Sequence, residues 1–165
     1  MKHISLYYII IFIFLLNNTI FAQVSNGEYT QATQCLGTEL DGSVTLKSWG
    51  NGRNNSDAVE QAKKQAVNDV LFLGIKSGAS SCISSPIVID KDVKSRNEDY
   101  FATFFSDNGP YLEYVSLKDE KISYKLHREK KKSNTSVTKS VIVRVNRLGL
   151  KKKLVADNII KNYRE

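Results

Sequence analysis

A chain of 165 residues with 24 Lys and Arg against 17 Asp and Glu carries a formal net charge of +7, and 41% of its residues are hydrophobic. That length suits one domain with a moderate core and leaves little room for a second. The basic balance suggests attraction to polyanions, among them anionic lipid, lipopolysaccharide, acidic glycan or nucleic acid.

Chain order begins with a leader. Lys2 and His3 give a short basic start, residues 4–16 form an almost unbroken apolar run, and Asn17, Asn18 and Thr19 break it. The run falls short of the about 20 apolar residues needed to span a bilayer. Small Ala22 stands where a signal peptidase cuts. Residues 1–22 are therefore predicted to be a cleaved signal peptide, and residues 23–165 a single exported α+β domain without a transmembrane anchor. Its expected location is periplasmic or extracellular, or peripheral at the outer membrane. Loss of Lys2 with the leader lowers the net charge by one. Export removes the chain from cytosolic nucleotide pools, so no cofactor is assigned.

Two cysteines, Cys35 and Cys82, then lie in an oxidising compartment, and they are expected to pair as one disulfide. No CxxC is present, and two cysteines with His127, the one histidine after the leader, fall short of a zinc set. No metal is assigned.

Residues 23–41 are polar and read as an irregular lead tied down at Cys35, closing in an Asp41-Gly42 turn. Residues 43–49 alternate as a strand, with Val44 and Leu46 on one face and Trp49 on the other. A loop, Gly50-Asn51-Gly52-Arg53-Asn54-Asn55, leads into the main helix, predicted over 57–75 with Ser56 as its cap. Its apolar stripe, Ala58, Val59, Ala62, Ala66, Val67, Val70 and Leu71, starts small, so the helix can sit close to a sheet.

Residues 77–85 read as a loop around Cys82, and 86–90 as a short strand after Pro86. Ser95-Arg96-Asn97-Glu98 is a capping-box pattern opening a second helix to about Phe105, with Tyr100, Phe101, Phe104 and Phe105 as its aromatic face. Three strands are predicted at 111–117, 122–128 and 137–145, the last two joined by a basic hairpin. Asn146 caps a final helix over 147–156. The order argues for an α+β fold: a mainly antiparallel sheet with a long helix on one face and two shorter helices.

The stretch Trp49-Gly50-Asn51-Gly52-Arg53, with Ser56-Asp57-Ala58, the Ala-rich run from Gln61 to Val67 and Leu71-Phe72-Leu73-Gly74, resembles the N-terminal domain of flagellar assembly protein T and related small outer-membrane lipoproteins. A wider pattern resembles uncharacterised exported proteins of Bacteroidota: Asp99-Tyr100-Phe101, Phe104-Phe105, Gly109-Pro110-Tyr111 and Val115-Ser116-Leu117. Both resemblances imply an envelope setting. Neither supplies a functional residue to carry over, and no Cys stands near the cut to be acylated.

Chemistry is sparse. Gly50-x-Gly52 lacks the third glycine of a dinucleotide loop, because Asn55 stands there, and reads as a strand-to-helix turn. The helix-start amides, with Arg53 as helper, are a minor candidate for an anion. His127 reads as a solvated histidine beside Arg128. Glu98, Asp99, Asp107, Asp119 and Glu120 supply carboxylates but no recognisable glycosidase pair. The strongest feature is basic: Arg128, Lys130, Lys131 and Lys132 at the hairpin, with Arg53 in the glycine loop, form the candidate binding surface. The expected function is a non-enzymatic envelope protein that binds a protein partner or assembles with one. The alternatives are a small secreted hydrolase and a polyanion-binding module for lipopolysaccharide, glycan or nucleic acid.

Overall fold

The computed structural model describes residues 32–118, 130–132 and 136–161, with only the backbone of 130–132. The leader, most of the lead, the 122–128 strand, Asp119, Glu120, His127, Arg128 and the hairpin tip at Ser133-Asn134 lie outside them.

Six strands form one sheet: β1 (Gln34–Thr38), β2 (Val44–Gly52), β3 (Ser77–Gly78), β4 (Val115–Leu117), β5 (Lys130–Lys132) and β6 (Val137–Val145). The spatial order is β3-β1-β2-β6-β4, with β5 also paired to β6. A mainly antiparallel sheet was expected, and the sheet is mixed, because β3 runs parallel to β1. The supposed lead is partly a strand: β1 pairs with β2 as a hairpin across the Asp41-Gly42 turn, where Asp41 Oδ1 accepts from the Ser43 amide at 2.9 Å. Polar sequence hid it. Only Cys35 of β1 is buried, so a core-facing alternation never develops.

The main helix, α1 (Asn55–Asn68), starts two residues earlier than expected. Asn54, not Ser56, is the cap: its Oδ1 accepts from the Ser56 and Asp57 amides at 2.9 and 3.0 Å. At Asp69–Leu73 the helix widens into a π-helical turn and stops short of Ile75. The Ile87 and Val88 amides then donate to the Val70 and Leu71 carbonyls at 3.1 and 2.8 Å. Those carbonyls are the orphan acceptors of a helix end. This use of their amides is why residues 86–90 are not the strand their sequence suggests.

Three shorter helices follow rather than two: α2 (Val93–Arg96), α3 (Glu98–Phe104) and α4 (Arg147–Ala156). The capping box does not form. Ser95 Oγ donates instead to the Asp92 carbonyl at 2.9 Å within α2, and Asn97 separates the two helices. The aromatic face of α3 is as expected, with Phe101 and Phe104 buried and Phe72 edge-on to Phe101 at 5.0 Å. Pro110 opens a 3-10 turn (Pro110–Tyr114), which shortens the predicted 111–117 strand to β4. The 137–145 strand and the 147–156 helix stand as predicted, and Asn146 Oδ1 caps α4 by accepting from the Gly149 amide at 2.8 Å.

β2 and β6 pair along their whole lengths, from Val44 opposite Val145 to Gly52 opposite Val137. Their Val44, Leu46, Val141, Val143 and Val145 side chains are buried, and α1 covers that face with Ala58, Ala62, Ala66 and Val67, all fully buried. The approach is unusually close. A Cβ at Gly50 would fall 2.1 Å from the Ala58 carbonyl oxygen and 2.3 Å from the Ala62 nitrogen, and one at Gly52 would fall 2.4 Å from the Ala58 nitrogen. Cys35 and Cys82 are joined, as expected, with 6.3 Å between Cα atoms. The bridge clips β1 to the loop after β3.

Gly50→Ala should destabilise the protein by about 3 kcal/mol, since backbone rather than a movable side chain is struck. Gly37→Ala, where an added Cβ meets nothing within 4 Å, should change stability by under about 1 kcal/mol. Urea denaturation of both variants checks the contrast. Reducing the Cys35–Cys82 bridge, which spans a sequence separation of 47, should cost about 4 kcal/mol on the chain-entropy account, read as a lower urea midpoint in dithiothreitol.

Candidate functional site

Strand register brings together the two basic elements that the sequence holds far apart. Gly52 lies opposite Val137 on β6, and Lys132 lies opposite the same Val137 on the other edge. Likewise Gly50, Lys139 and Lys130 share one row of the sheet, and Asn51, Thr138 and Lys131 the next. Two strand spacings separate the outer members of each row, about 10 Å. Arg53 follows Gly52 directly, so it and the Lys130–Lys132 strand sit at one end of the sheet with Lys139 between. Arg128, the remaining residue of the candidate surface, lies outside the described residues.

The glycine loop is arranged for packing and capping. Three of its amides are used within the chain: Ser56 and Asp57 by Asn54, and Arg53 by Asp57 Oδ2 at 2.9 Å. At this helix start the chain's own side chains take the place of the anion considered there. Arg53 Nε also reaches Asp57 Oδ2 at 3.3 Å, yet its side chain remains 90% exposed. Those contacts hold the Asp57 carboxyl below its ordinary range, the Arg53 amide contributing most. Asp57 orients the arginine while leaving its guanidinium open to solvent.

The sheet face away from α1 carries a second electrostatic cluster that sequence reading missed. Thr45 Oγ1 donates to Glu39 Oε1 at 2.6 Å, Lys118 Nζ donates to the same oxygen at 2.6 Å, and Arg144 stands 3.6 Å from Oε2. With Lys118 as the main cause, the Glu39 carboxyl is held down to about 2. The cluster ties the β1–β2 turn to β4 and β6. Its members lie on four separate stretches of chain, so nothing local announces it.

A third cluster lies beneath α1. Asp69 is buried and accepts from Thr33 Oγ1 at 2.5 Å and from Gln65 Nε2 at 2.7 Å, while Thr33 and Ser48 hydroxyls meet at 3.3 Å. Burial pushes its carboxyl above the ordinary range. The sequence did hold a signal, because Asp69 falls three residues after Ala66 and seven after Ala62, on the buried stripe.

The carboxylates named as hydrolase candidates do not assemble among the described residues. Glu98 and Asp99 are exposed in the first turn of α3, and exposed Asp107 is paired with Lys64 at 2.8 Å. Elsewhere Tyr111 donates to Glu60, and Tyr100 donates to Asp157 at 2.6 Å. These bonds fasten the 3-10 turn to α1 and α3 to the end of α4. Among the described residues no group of three or more His, Cys, Asp or Glu is placed to hold a metal, and no helix is long and apolar enough to cross a membrane.

Comparison with known proteins finds no matching family model, no matching curated protein and no matching solved structure.

The Glu39 cluster makes a signed pH prediction. A depressed carboxyl contributes stability that is full above its unfolded value of 4.5 and is lost as pH falls towards 2. Glu39→Gln should therefore lower the thermal midpoint at neutral pH, and the gap from the parent should close as pH falls through that window. A gap that is the same at both ends would remove the electrostatic account.

Proposed function

We propose that this is an exported, non-enzymatic binding or assembly module of the cell envelope, working in the periplasm or at the outer membrane. It engages an acidic partner through the basic end of its sheet. The observation that carries this reading is the shared register of Gly52, Val137 and Lys132, which gathers Arg53, Lys139 and the β5 lysines into one region. A charged area of that kind raises the local concentration of anionic partners and orients them on approach. The disulfide supports export, since such bridges persist in oxidising compartments. The partner is an envelope protein with an acidic face; a polyanion such as lipopolysaccharide, glycan or nucleic acid is the second reading, favoured by the net charge of +7. The hydrolase alternative has less support, because the described carboxylates are spread over separate elements.

Crosslinking in the native envelope, followed by identification of the captured species, tests the proposal. Replacing Lys130, Lys131 and Lys132 together with Glu should reduce capture at least about tenfold, and Arg53→Glu should reduce it less, with parent capture falling as salt rises. His127→Ala and Glu98→Gln should leave capture and phenotype intact. Loss of phenotype in those two variants, with the lysine variant unaffected, would transfer the assignment to the hydrolase.

A further inference from the structure

The end of α1 remote from the basic surface carries an apolar feature of its own. Six large hydrophobic side chains are exposed among the described residues, and four of them, Leu36, Leu73, Ile83 and Ile89, stand on chain segments bonded to one another. Single exposed residues of this kind are ordinary, whereas a cluster marks an interaction site. The Ile75 amide donates to the Ser84 carbonyl at 3.0 Å, which sets the Ile83 loop beside the turn that holds Leu73. The Val88 amide donates to the Leu71 carbonyl at 2.8 Å and brings in Ile89, and the Cys35–Cys82 bridge joins Leu36 to Ile83. Leu73, Ile83 and Ile89 are 60%, 50% and 85% exposed. Lysines are interleaved with them. Lys94 Nζ lies over the Phe72 ring, 4.9 Å from its centroid, and Lys76 and Lys91 are exposed on the same turns. Asp90 is paired with Arg96 at 2.6 Å, and Asp92 is the other acid between residues 73 and 96, so the four cations of this stretch exceed its acids by two.

We propose that Leu73, Ile83 and Ile89, with Lys76, Lys91 and Lys94, form a docking surface for an anionic phospholipid bilayer. The aliphatic tips enter the boundary between headgroups and acyl chains, and the lysines stay at the level of the lipid phosphates with their stems along that boundary. The chain between the tips is rich in exposed serine, from Ser77 to Ser85, whose hydroxyls hydrogen-bond phosphate and water. Tips that stand on turns, with small residues between them, suit a fluid layer that closes around them and offer a protein little continuous area to fit. The excess of cations decides against a second copy of this chain, because an isologous contact would set like charge on like. α1 and its π turn run from Asn55 to Leu73, about 25 Å, and Arg53 stands just before their start. The lipid surface and the basic end of the sheet are thus separate, and the first does not rest on the partner assigned to the second. A molecule held on a bilayer by one end of α1 can present the other to an acidic partner.

Co-sedimentation of the full mature protein with lipid vesicles tests this. Phosphatidylcholine vesicles containing about 30% phosphatidylglycerol should bind the parent at least about tenfold more tightly than phosphatidylcholine alone. Leu73→Gln, Ile83→Gln and Ile89→Gln combined should weaken that binding at least about tenfold and leave the urea midpoint unchanged, because all three side chains are exposed. Lys76→Glu with Lys91→Glu should weaken it by a similar factor, and this pair keeps the test should the apolar variant prove less stable. Glu at Lys130, Lys131 and Lys132 should weaken it less than either. A parent that ignores the anionic vesicles overturns the proposal. So does an apolar variant that binds like the parent while the Lys130, Lys131 and Lys132 variant fails to bind, which would move lipid binding to the basic end. Dimers, or capture of an envelope protein, that disappear in the apolar variant while vesicle binding is kept would give the surface to a protein instead.

Discussion

The contact between the backbone of α1 and the strand β2 is the constraint on which the rest of the molecule depends. Gly50 and Gly52 have no side chain to hold the helix off, and Ala58, Ala62 and Ala66 present only methyl groups towards the sheet. Where ordinary residues would separate a helix from a sheet by about 10 Å, these positions let main chain approach main chain. The first half of the helix is thereby seated by shape. Beyond Ala66 the stripe enlarges through Val67, Val70 and Leu71, all buried in the core. The glycine pattern that invites comparison with nucleotide loops has this packing role instead.

Seating α1 at that end of β2 also decides what the same end can present outside. Asn54 and Asp57 consume the helix-start amides, so the loop offers a cation, Arg53, rather than a nest for anions. β6 extends the arrangement because its nine residues pair with β2 along one edge while β4 and β5 share the other. Leu117 faces Val143 and Lys130 faces Lys139, so β4 and β5 take separate stretches of the same edge of β6. The basic residues are collected by this strand sharing, not by nearness in sequence.

The elements with a strong single period were legible. β6 and α4 were readable to the residue, because Val141, Val143 and Val145 alternate cleanly and Asn146 is followed by an unbroken helical run. β1 was not, since a strand with one buried residue looks like loop. Pro86 to Asp90 misled in the opposite direction: its β-branched run is real, but two of its amides satisfy a helix end. Ser95 and Glu98 show the same competition, a local motif losing to a nearer carbonyl. At the candidate site the residue types were visible and their convergence was not. Arg53 and Lys132 are related only through Val137, and register between distant strands is set by the whole core.

The two faces of the sheet set carboxyl groups against each other. On the face away from α1, Glu39 lies among Lys118, Thr45 and Arg144, and its charge is what joins the β1–β2 turn to β4 and β6. Beneath α1, Asp69 has only neutral donors, and its charge is what the interior disfavours. Acid therefore removes the charge that holds the first cluster together, whereas at the second it relieves a desolvated charge, so their surroundings shift the two carboxyls in opposite directions on opposite faces of the same strands. Both clusters bear on β1, one through the turn that follows it and one through Thr33 just before it. The two carboxyls thus sit at opposite ends of the same problem, Glu39 neutralised by cations at the turn after β1 and Asp69 desolvated where α1, Ser48 of β2 and Thr33 meet.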